Sequence, residues 1–460
     1  RSNATCSSPI SKVCRRHKVN PEFQRNVWLE WSAHRVLLLS VVLASIFVLV
    51  ALFDPNGLGN VVANAALSLF VLATMIWGSH RAGDAMLDEL RERTWDSQRM
   101  SAMSPWSMTW GKLCGATIMP WFAGSVCLVI YTIARFGPTL AERLQVVASC
   151  IAAAILVQAL SLIGALVGTR LEKHARSTLA SWSAVGTFLL LLVYFSVYYR
   201  STDAIIWFGM SCDRLDFLTA SLFALAGWTV FGAYRMMSSE LAVATRPWAW
   251  SAFVIYLTIY FAGAFILPEW PLNRSLAVFG AAGLVVAIGA SYLAAFALFR
   301  DPLTFHRLAT YAAARSWRRF FEELPVWTAS FAIAVAFSLL CAVLATAPVY
   351  SGERIEAVGL GGIVIVLYAV RNIGLLYYFT YGESHRRVET TTVICIAIIS
   401  WLLPSIAESA GLTAVHWLLR PPLWDHPVAA GAIIALHVLV VGVLCWRRYR
   451  ERIAPAAIAA

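Results

Sequence analysis

The chain has 460 residues, of which 60% are hydrophobic and only 13% charged, with a mean hydropathy of +0.70. Those values exclude an ordinary soluble domain, and runs of about 20 apolar residues, the length that crosses a bilayer, recur along the whole chain. The formal net charge of +11 requires no nucleic acid, because the excess sits in loops beside apolar runs, where anionic lipids attract it.

Long runs of this kind predict an all-α polytopic membrane protein, since a β-barrel would show shorter alternating segments. Twelve spans are expected: 36–53, 61–79, 113–134, 145–169, 179–199, 215–234, 249–267, 276–299, 326–347, 357–380, 391–410 and 428–446. With the N-terminus in the cytoplasm, every Lys and Arg falls on the cytoplasmic side except Arg135, Arg143, Arg200, Arg214, Arg274, Arg354 and Arg420, and Arg371, which lies inside a span. Such a bias sets orientation and places both termini in the cytoplasm. The first twenty residues lack an apolar core, so no cleavable signal peptide is expected.

In chain order, residues 1–35 form a basic tail followed by a short helix. Asn20-Pro21-Glu22 reads as an N-cap, a first-turn proline and an acidic first turn. Phe23, Val27, Trp28 and Trp31 then share a face, with Arg25, Asn26 and Glu30 elsewhere, the pattern of a helix lying in the membrane interface. Span one ends in Asp54-Pro55-Asn56-Gly57, an outer turn. Span two leads into the longest internal polar segment, 80–112, which is far longer than two neighbouring spans need. Met86 and Leu90 lie one turn apart among charged residues, so Asp84 to Gln98 is expected to form an amphipathic helix. Ser104-Pro105 reads as an N-cap and a proline opening a second short helix, Trp106 to Lys112, that feeds straight into span three. Pro120 is a kink position within that span.

The inner loop 170–178 is short and basic. The outer segment 200–214 carries an apolar patch too short to cross and is expected to dip into the interface. Segment 300–325 reads as a second surface helix, with Phe305, Leu308, Tyr311 and Ala312 on one face and Arg315, Arg318 and Arg319 clustered beyond.

Chemistry is sparse. No GxxxxGK[ST] loop occurs, so any ATP used must be bound by another chain. There is no HExxH and no pair of histidines at helical spacing, and the nine cysteines are scattered, so neither metal ligation nor catalysis by this chain is expected. Arg371, beside Asn372, is the basic residue deepest in an apolar run. It is a candidate for a translocation path that meets an anionic substrate, or else a structural partner of Glu408. His437 reads as a hydrogen-bonded packing residue.

Taken together, NPEFQRNVWLEW before span one and the segment E-x-x-x-TW-D-x-QRMSAMSPWSMTWGKL between spans two and three resemble the membrane subunits of type-2 ABC transporters. The matching positions are Glu89 or Glu92, Thr94, Ser104, Pro105, Gly111 and Lys112, and the likeness covers residues 20–135, weakening towards 240. The resemblance implies that residues 36–240 are a six-span permease-like module of an exporter, with 80–112 as the segment that docks in a separate ATPase subunit. Glu89, Glu92, Arg93, Trp95, Arg99, Ser104 and Pro105 would then be docking residues. ATP and Mg would sit in the partner, this chain would bind no cofactor, and two copies in a bacterial inner membrane would make the complex. Residues 241–460, an additional six-span region, depart from that pattern. Two other classes compete: a twelve-span secondary transporter, which would carry a compact Gly/Asp/Arg signature between spans two and three, and a membrane enzyme on lipid or polyprenyl-linked substrates, which would need paired acids or an intramembrane histidine with a partner.

Overall fold

The computed structural model describes residues 20–53, 59–101, 103–168, 204–243, 247–267, 269–298, 300–345, 353–382, 388–423 and 425–453. Span 179–199 and loop 170–178 therefore lie outside the described residues. Nine helices among those described are long and apolar enough to cross a membrane, or ten if a pair bent by 54° counts as one span. Their outward faces carry Leu37, Leu38, Val48, Leu52, Val129, Ile133, Val285, Leu293, Leu436 and Leu439, apolar surface that only hydrocarbon accommodates. The chain is an all-α integral membrane protein.

It divides into two compact units, residues 1–205 with 212–245, and 206–211 with 246–460. The first contains α1 (Pro21–Glu30), α2 (Ala33–Phe53), α3 (Asn60–Arg91), α4 (Trp95–Arg99), α5 (Pro105–Gly115), α6 (Ile118–Ala134), α7 (Leu140–Gly168) and α8 (Arg214–Glu240). Helix α7 is its centre, packed on α3 and α8. It buries Ala152, Ala153, Ala154, Ala159, Gly164 and Ala165, small residues that let helix backbones approach where lipid gives no hydrophobic drive to association. Helix α2 is apolar all round and largely exposed.

Two expectations for segment 80–112 change. The helix predicted over Asp84–Gln98 is broken after Arg91, because Arg93 adopts a left-handed φ of 58°. Thr94 N donates to Glu89 O at 2.9 Å and Arg93 N to Leu90 O at 3.4 Å, the paired bonds that end a helix in a left-handed residue. The second helix starts as predicted, with Ser104 Oγ accepting from Ser107 N at 3.2 Å, but it does not run straight into span three. It stops at Gly115, and α6 resumes at Ile118 with a 54° bend. The cause is Pro120, whose ring collides with the carbonyl four residues back, at Ala116, and which has no N–H to bond it.

The second unit contains α9 (Trp248–Gly263), α10 (Leu272–Ala297), α11 (Thr304–Ala313), α12 (Trp317–Glu323), α13 (Val326–Ala345), α14 (Glu353–Thr380), α15 (Val388–Ser409), α16 (Thr413–Leu419) and α17 (Pro427–Arg452). Span 249–267 corresponds to α9, only 16 residues long. Helices α10 and α13 meet closely, because a Cβ on Gly283 would stand 2.5 Å from the Phe337 ring. Helix α14 packs on α13 and α17.

The outer segment expected to dip into the interface contains a hairpin, β1 (Ile205–Trp207) and β2 (Met210–Cys212). Phe208 and Gly209 both take positive φ, 48° and 74°, the mirror-image turn that matches strand twist. Phe208 N donates to Gly263 O at 2.8 Å and the Trp207 indole to Tyr260 O at 3.1 Å, which anchors the tip on α9. Segment 300–325 is two helices rather than one, broken at Arg315, whose φ is 51°. Leu308 is buried and Phe305 lies edge-on to Tyr377 at 5.1 Å, so α11 packs on its unit, while Trp317, Phe321 and Arg318 of α12 remain exposed. Between them, Glu323 accepts from Tyr311 Oη at 2.9 Å; that bond, with desolvation, raises the phenol above its ordinary pKa.

One close approach in the first unit is diagnostic. A Cβ on Gly124 would meet Thr74 Cγ2 at 2.3 Å and the Phe70 ring at 3.1 Å. Gly124→Ala is therefore expected to cost about 1–3 kcal/mol through overpacking, read as a lower melting temperature of the purified chain in detergent. Unchanged melting would mean that α3 and α6 do not pack this tightly.

Candidate functional site

The segment 80–112 folds into an elbow, and a buried charge cluster is its hub. Lys112 lies in a π-helical turn, Gly111–Gly115, and is 0% exposed. Its ammonium contacts Glu89 of α3 and Glu22 of α1, the latter at 3.3 Å, with Gln98 Oε1 of α4 at 3.4 Å and the Trp95 ring centroid at 5.7 Å. Glu89 also accepts from Arg25 and, at 2.7 Å, from Gln98 Nε2, and Arg25 reaches Glu22 at 3.1 Å. Two carboxylates and two cations thus cancel, and every charge has partners. Buried ions are tolerated only on those terms.

Helix α1 completes the cluster. Asn20 caps it, accepting from Glu22 N at 3.1 Å, and its amide donates to Ser107 O at 2.5 Å. Asn26 Nδ2 donates to Glu22 Oε1 at 3.0 Å and to Gly111 O at 3.4 Å. Gly111 and Gly115 permit this approach, since a Cβ on either would lie 2.5 Å from Glu22 Cγ or 2.8 Å from Asn26 Cβ. At the far end of α1, Glu30 pairs with Arg81. The helix therefore buries its polar face, Glu22 and Asn26, and turns Trp28, 75% exposed, with Leu29 and Trp31 outward. Inverted amphipathy of this kind suits a lipid surface, not water. Of the four residues expected to anchor it, Trp28 and Trp31 are exposed, Phe23 and Val27 half-buried. Trp31 also rests edge-on against Phe122 at 5.9 Å.

The residues proposed from sequence as docking contacts separate into two groups. Glu89 and Trp95 are buried inside the elbow and hold it together. Glu92, Arg93 and Arg99 are exposed at its tip, beside Asp96 and Met100, the last 88% exposed. Ser104 and half-buried Pro105 start α5. Sequence reasoning missed Glu22, Arg25 and Lys112 as one cluster; the only sign was charge at Glu22 and Arg25 on an otherwise aromatic helix. Helix α5 is held on its other side by Trp106, whose ring meets Tyr234 of α8 edge-on at 5.2 Å.

Comparison with protein-family models, with curated proteins and with solved structures finds no match.

The remaining sequence candidate, Arg371, lies in the second unit. Glu408 is not its partner; that carboxylate is 73% exposed and sits 3.7 Å from His416. Arg371 bonds instead to Asn372 and Ser400.

Removing Lys112 leaves two buried carboxylates facing one another. Lys112→Met is expected to destabilise the chain by about 3–5 kcal/mol, and adding Glu89→Gln should recover part of that loss. The melting temperatures of the single and double variants in detergent decide it; a double variant no more stable than Lys112→Met would remove the cluster from its place as hub.

Proposed function

We infer that this chain is the membrane subunit of an ATP-driven ABC exporter, coupling ATP hydrolysis by a separate nucleotide-binding subunit to substrate movement across the bilayer. The observation carrying this reading is the elbow itself. A segment of this length needs a reason to be ordered, and here it is compact, with its own buried ion cluster and a helix, α5, continuing through a bend into a spanning helix. A lever driven by a partner requires those properties. Force applied at the tip is carried by side chains that cannot reorient without exposing a buried charge.

The docking surface on this reading is the outer rim, Glu92, Arg93, Asp96, Arg99 and Met100, with mixed charge around one fully presented apolar side chain. Rim charges of that sort set register and encounter rate, while the apolar residue is the part that gains from burial. Glu89 and Trp95 transmit rather than touch. A shallow groove beside the rim, between Pro21 and Arg25 of α1 and Ser97, Gln98 and Ser101, offers further space for a partner side chain. ATP and Mg belong to the partner, and two copies of this chain would supply two elbows. The basic bias of the loops argues for elbow and termini on the cytoplasmic side of a bacterial inner membrane.

The partner is tested by reconstituting the chain with a candidate ABC ATPase subunit. Glu92→Ala with Arg93→Ala should leave melting unchanged and reduce substrate-stimulated ATP hydrolysis at least tenfold. Arg93→Gly, which relieves a left-handed non-glycine residue worth about 1 kcal/mol, should melt at or above the parent temperature. Full coupling in the double alanine variant would sink the docking assignment.

A further inference from the structure

The two deepest cations in the described residues are treated in opposite ways. Lys112 has two carboxylates. Arg371, 2% exposed, has none among the described residues. It stands in α14 eighteen residues after Glu353 and nine before Thr380. At about 1.5 Å per residue it is more than two helical turns from the nearer end, inside the apolar run. Its Nε and Nη2 donate to Asn372 Oδ1 at 3.0 and 2.9 Å, and Nη2 also to Ser400 Oγ at 2.7 Å. The guanidinium lies 4.8 Å from the Tyr368 ring centroid. Nη1 is buried and has no hydrogen-bond partner among the described residues.

Neutral oxygens orient this cation without cancelling it. A guanidinium at membrane depth costs about 2.5–3.5 kcal/mol even on the mildest insertion scale, and such residues there mark pathways or ligand sites unless paired. The surroundings are also equipped for an anion. Ser400 Oγ accepts from Arg371, and Tyr292 Oη accepts from Asn372 Nδ2 at 2.8 Å, so each hydroxyl retains its own proton to donate. On α17, which packs on α14, His437 Nδ1 is likewise buried without a hydrogen-bond partner among the described residues. Ser400 belongs to a π-helical turn, Ile398–Leu402, a distortion that recurs at functional sites because it re-aims a side chain.

We propose that Arg371, with Ser400, Tyr292 and His437, forms an intramembrane binding site for an anionic phosphate group, docked on Arg371 Nη1 and completed by the two hydroxyl protons. The phosphate has two possible sources, a phospholipid headgroup drawn between the helices or a soluble phosphate entering by a polar path. The lipid-facing exterior of its unit favours the lipid, whose headgroup would be drawn inward from the interface. The site belongs to the second unit and needs no ATPase, so its failure would leave the exporter reading standing.

The test uses the full chain purified in detergent, melted with either phosphatidylglycerol or inorganic phosphate added, and with uncharged diacylglycerol and chloride as controls. Stabilisation by phosphatidylglycerol but not diacylglycerol, with the half-saturating concentration raised at least tenfold in Arg371→Met and raised also in Ser400→Ala, is the expected result. Stabilisation by inorganic phosphate with the same variant dependence would keep the site and assign the soluble source. Should Arg371→Met fail to accumulate, Arg371→Lys, which keeps the charge but not the fork, takes its place with the same expectation. No response in the parent chain, or equal responses in parent and variants, overturns the proposal.

Discussion

The geometry of the first unit depends on one buried ammonium. Lys112 is the point where α1, α3, α4 and the start of the path into α6 meet, and it holds them through its contacts with Glu22 and Glu89. Apolar residues in place of the whole cluster would pack as well and avoid desolvation. What the ion cluster adds is registry. Carboxylates on two different elements must reach the same cation, so α1 cannot slide along the elbow without stranding a charge in a dry site. A hydrophobic contact tolerates a slip of an ångström; a buried salt bridge does not.

This constraint explains the otherwise odd composition of α1. Its polar residues point into the protein and its tryptophans point out. In water that arrangement would be unstable, and in a membrane interface it is the favourable one, because both faces then find the surroundings they require. The same helix therefore fixes the depth of the elbow relative to the lipid surface. With Glu30 paired to Arg81 at one end and Glu22 and Arg25 engaged at the other, tilting of α1 is opposed by ion pairs at both ends.

How much of this was legible in the sequence follows from the range of each interaction. Apolar runs and caps are local, so the helical membrane class, Asn20 and Ser104 could be read directly. The break at Arg93 could not, because a left-handed arginine leaves no mark that a glycine would have left. Pro120 announced a kink, but its position at Ala116 requires knowing which carbonyl the ring meets. The hairpin at Ile205–Cys212 was hidden in a phenylalanine-glycine turn inside an apolar patch. The charge cluster is the least local feature of all: Glu22 and Lys112 are 90 positions apart, and nothing in either neighbourhood specifies the other. Glu89 and Trp95 were consequently taken for surface when they are interior.

Each of the three described π-helical turns lies at a buried polar group, and the comparison among them separates architecture from function. Opening a helix by one residue leaves a carbonyl without its usual N–H and turns a side chain onto a new heading. In Val71–Trp77 the Thr74 carbonyl is taken by Gln158 Nε2 at 2.9 Å, while Gln158 Oε1 accepts from Trp121 at 3.0 Å, so that site is closed. In Gly111–Gly115 the turn aims Lys112 at two carboxylates, and the charge is closed as well. In Ile398–Leu402 the turn aims Ser400 at a cation that still has a bare N–H. At the first two sites the group that the turn presents, the Thr74 carbonyl or the Lys112 ammonium, is met by a partner within the chain, and carboxylates balance the charge of the second although Arg25 Nε at its edge makes no bond. Among the described residues Arg371 has no carboxylate partner, and an arginine without one inside an apolar span is costly unless something outside the polypeptide completes it. That difference, rather than the presence of a charge at depth, is what marks the second unit as the place where an anion binds.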